Sequence, residues 1–292
     1  MSERLRGKVA VITGGTRGFG LAIAEAFAAE GAAVVIAGRS TTAVETAVAG
    51  LAAGGARASG VRCDVAEAAQ VQTLAAFALQ KHGRFDIWVN NAGVTAPYGP
   101  SFAAPPEEFE RIVRTNILGL YYGTRAALEH FLPRRTGKLI NVLGRGARSP
   151  APLQNAYSAS KAWVRSFTSA LADEYAGSGV GIFALSPGMM RTEMLTRPAV
   201  YVGYADRLGG AYPTVLRMWS RPPEIAARKA VWLASAATDG KTGLTLQVMG
   251  PAAMLAGSLR ELFRRLTGRV ETMDVQVVPV EPEPFASPER LG

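Results

Sequence analysis

Cysteine and histidine are nearly missing from this chain. One cysteine, Cys63, in 292 residues excludes an internal disulfide. The two histidines, His82 and His130, lie far apart in sequence, so no metal site is expected. Both are read as surface residues at helix ends. Long apolar runs are also lacking: none reaches the ~20 residues that cross a bilayer. The N-terminus passes from charge (MSERLRGK) straight into an apolar strand, so no secretory signal is expected and a cytoplasmic location follows. Acids are the scarcer charge, 23 against 32 Lys and Arg, for a net charge of +9. A basic chain suits nucleic acid or an anionic membrane. Here the arginines are dispersed except near the C-terminus, so no nucleic-acid role is expected.

The chain does have a sizeable apolar fraction, 48%, with 19% charged residues, as expected of a globular enzyme. Apolar runs alternate with helical patterns. Strands are predicted at 9–12, 33–37, 56–62, 85–90, 138–143, 180–185 and 244–248. Helices are predicted at 41–53, 67–81, 107–131, 155–175 and 224–235; Pro105 and Pro106 precede the long third helix and Pro133 follows it. This alternation predicts an α/β fold, a doubly wound parallel sheet covered by helices on both faces. Ligands in such sheets bind beyond the carboxyl ends of the strands.

The first strand leads into a glycine turn, Thr13, Gly14, Gly15, Thr16, Arg17, Gly18, Phe19, Gly20, and then a helix with Leu21, Ile23, Ala24 and Phe27 on its apolar side. Unpaired N–H groups at such a helix start, with the helix dipole, favour a pyrophosphate, and glycines let the backbone approach it. The second strand ends Gly38-Arg39-Ser40. An acid there would bond both ribose hydroxyls of NAD. Arg39, with Arg17 from the glycine turn, suits a 2′-phosphate, so NADP(H) is the expected cofactor.

Taken in order, TGGTRGFG (13–20), Asp64-Val65, NNAG (90–93), Asn116, YSASK (157–161) and PGMMRT (187–192) resemble the short-chain dehydrogenase/reductase family over about residues 6–250. The resemblance implies a Rossmann-type sheet of seven strands in the order 3-2-1-4-5-6-7. It implies that Gly14, Thr16, Arg17, Gly18, Phe19, Gly20 and Arg39 hold the cofactor. Asp64 and Val65 would contact the adenine, and Asn90, Ala92 and Gly93 would line the cofactor and steady strand four. Pro187, Gly188 and Thr192 would hold the nicotinamide end. Lys161 would hold the ribose, and Asn116 a water linked to that lysine. A homodimer or homotetramer joined through the helices of Asn116 and Tyr157 is implied as well.

Tyr157 and Lys161 lie four apart, on one face of a helix. A phenol ordinarily has a pKa of about 10. A nearby ammonium and an oxidised nicotinamide would lower it, fitting Tyr157 to exchange a proton with a carbonyl oxygen.

The pattern breaks at one point. The family places a substrate-binding serine thirteen residues before the tyrosine, and here that position is Gly144. Losing such a donor typically costs about 2.7–4 kcal/mol. Ser149 or a backbone N–H at 144–146 is expected to replace it; Arg145, a water, or a group of the substrate are further sources. Gly144 also leaves open a non-redox lyase, isomerase or cyclase.

Residues 193–222 carry Met194, Leu195, Tyr201, Tyr204, Tyr212, Leu216, Met218 and Trp219 and are expected to cover an apolar or ring-bearing carbonyl or alcohol substrate, with Gly209-Gly210 as a hinge. Beyond a domain of residues 1–250, an extension (251–292) begins with an amphipathic helix over 252–266. Leu255, Leu259, Leu262, Phe263 and Leu266 share one face and Arg260, Arg264 and Arg265 lie away from it. Docking of that face on the domain or a partner subunit is expected ahead of contact with an anionic membrane. A non-catalytic NADPH-binding or membrane-associated protein is the remaining alternative. The tail 275–292, rich in Pro and Glu, is expected to be extended or disordered.

Overall fold

A computed structural model describes residues 3–208, 210–268 and 273–282. Its strands are β1 (Val9–Thr13), β2 (Ala33–Gly38), β3 (Ala58–Arg62), β4 (Ile87–Asn90), β5 (Gly137–Val142), β6 (Val180–Ser186), β7 (Ala199–Tyr201), β8 (Thr245–Gln247) and β9 (Val278–Val280). Its helices are α1 (Gly18–Ala29), α2 (Thr41–Ala53), α3 (Ala68–His82), α4 (Pro106–Ile112), α5 (Gly119–Arg134), α6 (Asn155–Glu174), α7 (Glu193–Thr196), α8 (Ala205–Leu208), α9 (Tyr212–Trp219), α10 (Pro223–Ala234) and α11 (Pro251–Leu266).

Seven strands form one sheet in the order β3-β2-β1-β4-β5-β6-β8, every pair parallel. This is the predicted order, with β8 as the seventh strand. Side chains alternate across it, because successive residues of a strand point to opposite faces. Ala10 and Ile12 of β1 face one core with Phe19, Ile23 and Phe27 of α1 and Val231 of α10. Val9 and Val11 face the other, with Leu74 of α3, Phe131 of α5 and Trp88 of β4. Burial on both faces explains why the strands read as continuous apolar runs.

The predicted helix 107–131 is divided. Between α4 and α5 the turns widen to a π-helix over Val113–Leu118, where the Gly119 N–H reaches back five residues to the Arg114 carbonyl. Such insertions recur at functional sites, and this one carries Asn116. Helix α5 also runs through Pro133 rather than stopping before it. Neither histidine is a free surface residue. Half-buried His130 lies against the Phe85 ring (4.3 Å between centroids, the rings tilted by 36°) and accepts the Phe85 backbone N–H (3.4 Å), while His82 meets Ser59 (3.3 Å).

On the C-terminal side one expectation is sharpened and one corrected. Residues 278–280 are extended, as expected, and form β9, which pairs in parallel with β7 of the same chain. Residues 283–292 lie outside the described residues. Helix α11 does dock on its own chain, but by the face opposite the expected one. Gly257 packs on the Met218 carbonyl of α9, and buried Glu261 pairs with Arg217 (2.8 Å). The predicted apolar face points outward. Among the described residues, no helix is long and apolar enough to cross a membrane.

Candidate active site

The carboxyl ends of β1 to β6 open onto one cleft of about 1500 Å³. At its first end stands the glycine turn. Gly14 (φ +64°) and Gly18 (φ +55°) use backbone angles that side chains resist. A Cβ on Gly14 would lie 2.9 Å from the Ala92 Cα, and one on Gly20 would overlap the Gly14 carbonyl. Asn91 clamps this turn, its side-chain amide donating to the carbonyls of Thr13 (3.0 Å) and Gly14 (3.1 Å). Arg17, at the N-cap of α1, gives no side-chain cap to the first-turn N–H groups, whereas Ser40 caps α2 (3.3 Å). Uncapped N–H groups over a cleft that glycine backbone lines are what a pyrophosphate requires. The donor set fits a dinucleotide.

Thr16, Phe19, Arg39, Asp64, Val65, Ala92 and Gly93 line the same cleft, as do Pro187, Gly188 and Thr192. Asn90 does not. It is buried between β4 and α5, accepting from the Trp88 indole (2.8 Å) and donating to Asn141 (2.9 Å) and Thr124 (3.2 Å). Its role is to tie β4 to β5, and the neighbouring Asn91 is the one that faces the cleft. Arg17 is not a free cation, because it pairs with Glu193 of α7 (2.5 Å) across the cleft. Arg39 remains exposed on the rim. Nothing in the sequence pattern links Glu193 to Arg17, since the pair closes only when α7 folds over the glycine turn.

At the second end, Tyr157 and Lys161 are buried on consecutive turns of α6. The Lys161 ammonium donates to the Val142 carbonyl (3.0 Å) and lies 5.8 Å from the centre of the Tyr157 ring. Gly93 joins Lys161 to Asn116: a Cβ there would lie 3.4 Å from Asn116 Oδ1 and 3.7 Å from Lys161 Nζ. The Asn116 amide is held by the Val94 backbone (2.8 and 2.9 Å) and by Ser160 (3.0 Å). The expected lowering of the phenol pKa is reversed among the chain's own groups. Burial, and then Tyr98, push Tyr157 up. Burial pulls Lys161 down from 10.5 to about 8.

Residues 144–147 make a tight turn, with the Ala147 N–H on the Gly144 carbonyl (3.2 Å). Gly146 takes φ +95° and presses on Ser158, beside the tyrosine, which leaves no room for a side chain. A Cβ on Gly144 would overlap the Tyr157 hydroxyl, so the phenol fills the space a serine would use. Ser149 sits exposed on the rim. Arg145 lines the same cleft, within electrostatic reach of Tyr98 and Tyr212. Tyr98 carries no signal in the sequence. It is placed by pairing with β7, where its N–H meets the Ala199 carbonyl (2.8 Å).

The segment 193–222 divides by role. Met194, Leu195, Tyr212 and Trp219 line the cleft, with Val215 and, from α11, Met254. Tyr201, Tyr204 and Leu216 are instead fully buried packing residues. Of the predicted hinge, Gly209 lies outside the described residues.

The sequence profile of the short chain dehydrogenase family matches residues 8–199. The chain belongs to this family. It is 38% identical over 262 residues to 3beta-hydroxysteroid dehydrogenase 1 of Eggerthella lenta, covering 88% of this chain and 98% of that one. It is 35% identical to 4-formylbenzenesulfonate dehydrogenase TsaC1/TsaC2 of Comamonas testosteroni, covering 84% and 98%. Among solved structures, 3-ketoacyl-(acyl-carrier-protein) reductase from Brucella melitensis, complexed with NADH, superposes with a TM-score of 0.75 at 34% identity (85% and 99% covered). A gluconate 5-dehydrogenase from Burkholderia cenocepacia, complexed with NADP and tartrate, gives 0.74 at 30% identity (84% and 94%). This short-chain dehydrogenase is an oxidoreductase of the dehydrogenase/reductase kind.

Proposed function

We propose that the protein interconverts a ketone and a secondary alcohol on an apolar or ring-bearing small molecule, with NADP(H). The observation that carries this reading is the burial of Tyr157 and Lys161 together on one face of α6, at the end of the cleft opposite the glycine turn. When bound, the nicotinamide supplies or takes up a hydride. Tyr157 gives its proton to the substrate oxygen in reduction and takes it back in oxidation. Lys161, pinned by the Val142 carbonyl, fixes a positive charge beside the phenol and holds the ribose. Asn116 steadies the loop at Val94 and supports the proton path to Lys161. The second donor to the substrate oxygen comes from the 144–149 loop, as Ser149 or a backbone N–H of 144–146.

Arg39, on a cleft corner where β2 ends without an acid, supports NADP(H) over NAD(H). Met194, Leu195, Tyr212 and Trp219 support an apolar substrate. Exposed Phe109, Leu118 and Tyr121 near Asn116 support a homodimer or homotetramer joined there. A cytoplasmic setting, and a division into a domain of 1–250 with an extension of 251–292, belong to the same reading.

The test is NADPH consumption with a panel of bulky and aromatic ketones, with Tyr157→Phe run beside the parent. Turnover should fall by roughly 10²–10⁴ in the variant, the usual worth of a positioned general acid. Turnover equal in the two proteins would sink the reading.

A further inference from the structure

Helix α11 presents five large apolar side chains to solvent: Leu255, Leu259, Leu262, Phe263 and Leu266, each between 54% and 78% exposed. Their spacing of four, three, one and three residues sets them in one stripe along the helix. The helix cannot turn this stripe inward, because its other side is already committed. Gly257 packs against the Met218 carbonyl, Glu261 is buried against Arg217, and the Trp219 indole donates to the Met254 carbonyl (3.2 Å).

Charge identifies what covers the stripe. By helical spacing, Arg260 borders it on one side and Arg265 on the other. The sole acid of α11, Glu261, is 4% exposed and shared between Arg217 and Arg265, so among the described residues this helix turns cations and no anion of its own outward. Arg260 is also within electrostatic reach of Arg221, and Arg221 of Arg191, so the cations continue beyond the helix. A second copy of the chain meeting this face by two-fold symmetry would set the arginines of one α11 against those of the other, with no exposed carboxylate of either helix between them. An anionic lipid surface instead accepts the apolar stripe among its acyl chains and the flanking guanidinium groups at its headgroups. We propose that α11 is a docking helix for an anionic membrane surface, lying in its plane. The inference does not rest on the substrate reading.

The full-length protein would be mixed with sucrose-loaded vesicles of phosphatidylcholine alone or with 30 mol% (roughly one lipid in three) phosphatidylglycerol, then sedimented. Binding should be at least about tenfold stronger to the anionic vesicles and should weaken with salt. The double variant Leu259→Glu/Phe263→Glu changes only exposed positions, so it should keep its circular dichroism and thermal midpoint yet lose about tenfold or more of the binding. Arg260→Glu should weaken binding to anionic vesicles alone. Equal sedimentation with and without vesicles, or binding indifferent to the double variant, would overturn the proposal. So would a parent that ignores vesicles but whose mass by light scattering drops in the double variant, which would make the stripe a subunit interface.

Discussion

Tyr157 and Gly144 share one space, the phenol hydroxyl lying where a side chain on residue 144 would begin. A Cβ there would also come within 3.1 Å of the ring's Cζ and 3.2 Å of Lys161 Cγ. Gly144 is therefore more than a position without a donor, because it makes room for the Tyr157 hydroxyl. Gly144→Ala should push the hydroxyl off its position, and a displacement near 1 Å at a reacting group costs on the order of 10²-fold in rate. Gly144→Ser adds back the donor but suffers the same overlap, so it should remain well below the parent in kcat. Steady-state kinetics of both variants decides this, and a serine variant faster than the parent would refute the shared-space argument.

Lys161 makes stability depend on pH in a window set by its burial. Its folded value of about 8 lies below the ordinary 10.5, so between these the unfolded chain holds a proton that the folded chain has released. The cost of burying the ammonium is full below about 8 and disappears as pH rises toward 10.5. Tyr98, Tyr157 and Tyr212 are all pushed up, so unfolded tyrosines ionise first and oppose the gain only above about 10. Relative to Lys161→Met, the parent should gain about 2 kcal/mol between pH 7 and 9.5. Urea titrations at the two pH values measure this, and parallel pH profiles for the two proteins would rule it out.

The central strands were legible because they bury both faces. Val9–Ile12 and Ala33–Ala37 are continuous apolar runs, and β8 falls inside its predicted range. Where long-range pairing decides, local pattern is silent. Strand β9 has three residues and acquires its partner β7 only in the folded chain. The π-turn at Asn116 leaves the surrounding apolar spacing almost unchanged, so a continuous helix is the natural reading. Helix α11 misleads in the opposite sense: its apolar stripe signals burial, yet the contact that docks it is made by a glycine and a paired carboxylate. At the site, the glycine turn and the Tyr157–Lys161 pair are visible in sequence because both follow from local geometry. Tyr98 and the Arg17–Glu193 pair are not, because each joins segments far apart in the chain.

Cofactor choice should turn on Arg39 more than on Arg17. Arg39 stands exposed at the end of β2, while Arg17 already has an anionic partner in Glu193. Arg39→Asp should lower kcat/KM for NADPH by tenfold or more, since a charge-assisted contact is worth roughly 1.5–3 kcal/mol, and should improve use of NADH. Glu193→Gln frees Arg17. An exposed pair is worth about 0–1 kcal/mol, so the gain in NADPH affinity should be no more than about fivefold. Fluorescence titrations with both nucleotides test the two substitutions, and an Arg39→Asp enzyme with unchanged preference would move the phosphate site elsewhere.

The close approach of α11 to α9 hangs on Gly257, where any Cβ would overlap the Met218 carbonyl and lie 3.1 Å from the Trp219 ring. Met218 offers backbone there, which cannot swing away as a side-chain tip can. Gly257→Val should therefore prise the helices apart, break the Trp219 indole bond to the Met254 carbonyl and expose the Arg217–Glu261 pair to water. Overpacking of this kind costs about 1–3 kcal/mol. Neither core of the sheet includes a residue of α9 or α11, so the sheet should persist while α11 loosens. Hydrogen exchange should accelerate across 251–266 with β1 and β4 still protected, and Trp219 emission should shift to the red. Protection of α11 unchanged in Gly257→Val would mean that the helix is held by contacts other than this seam.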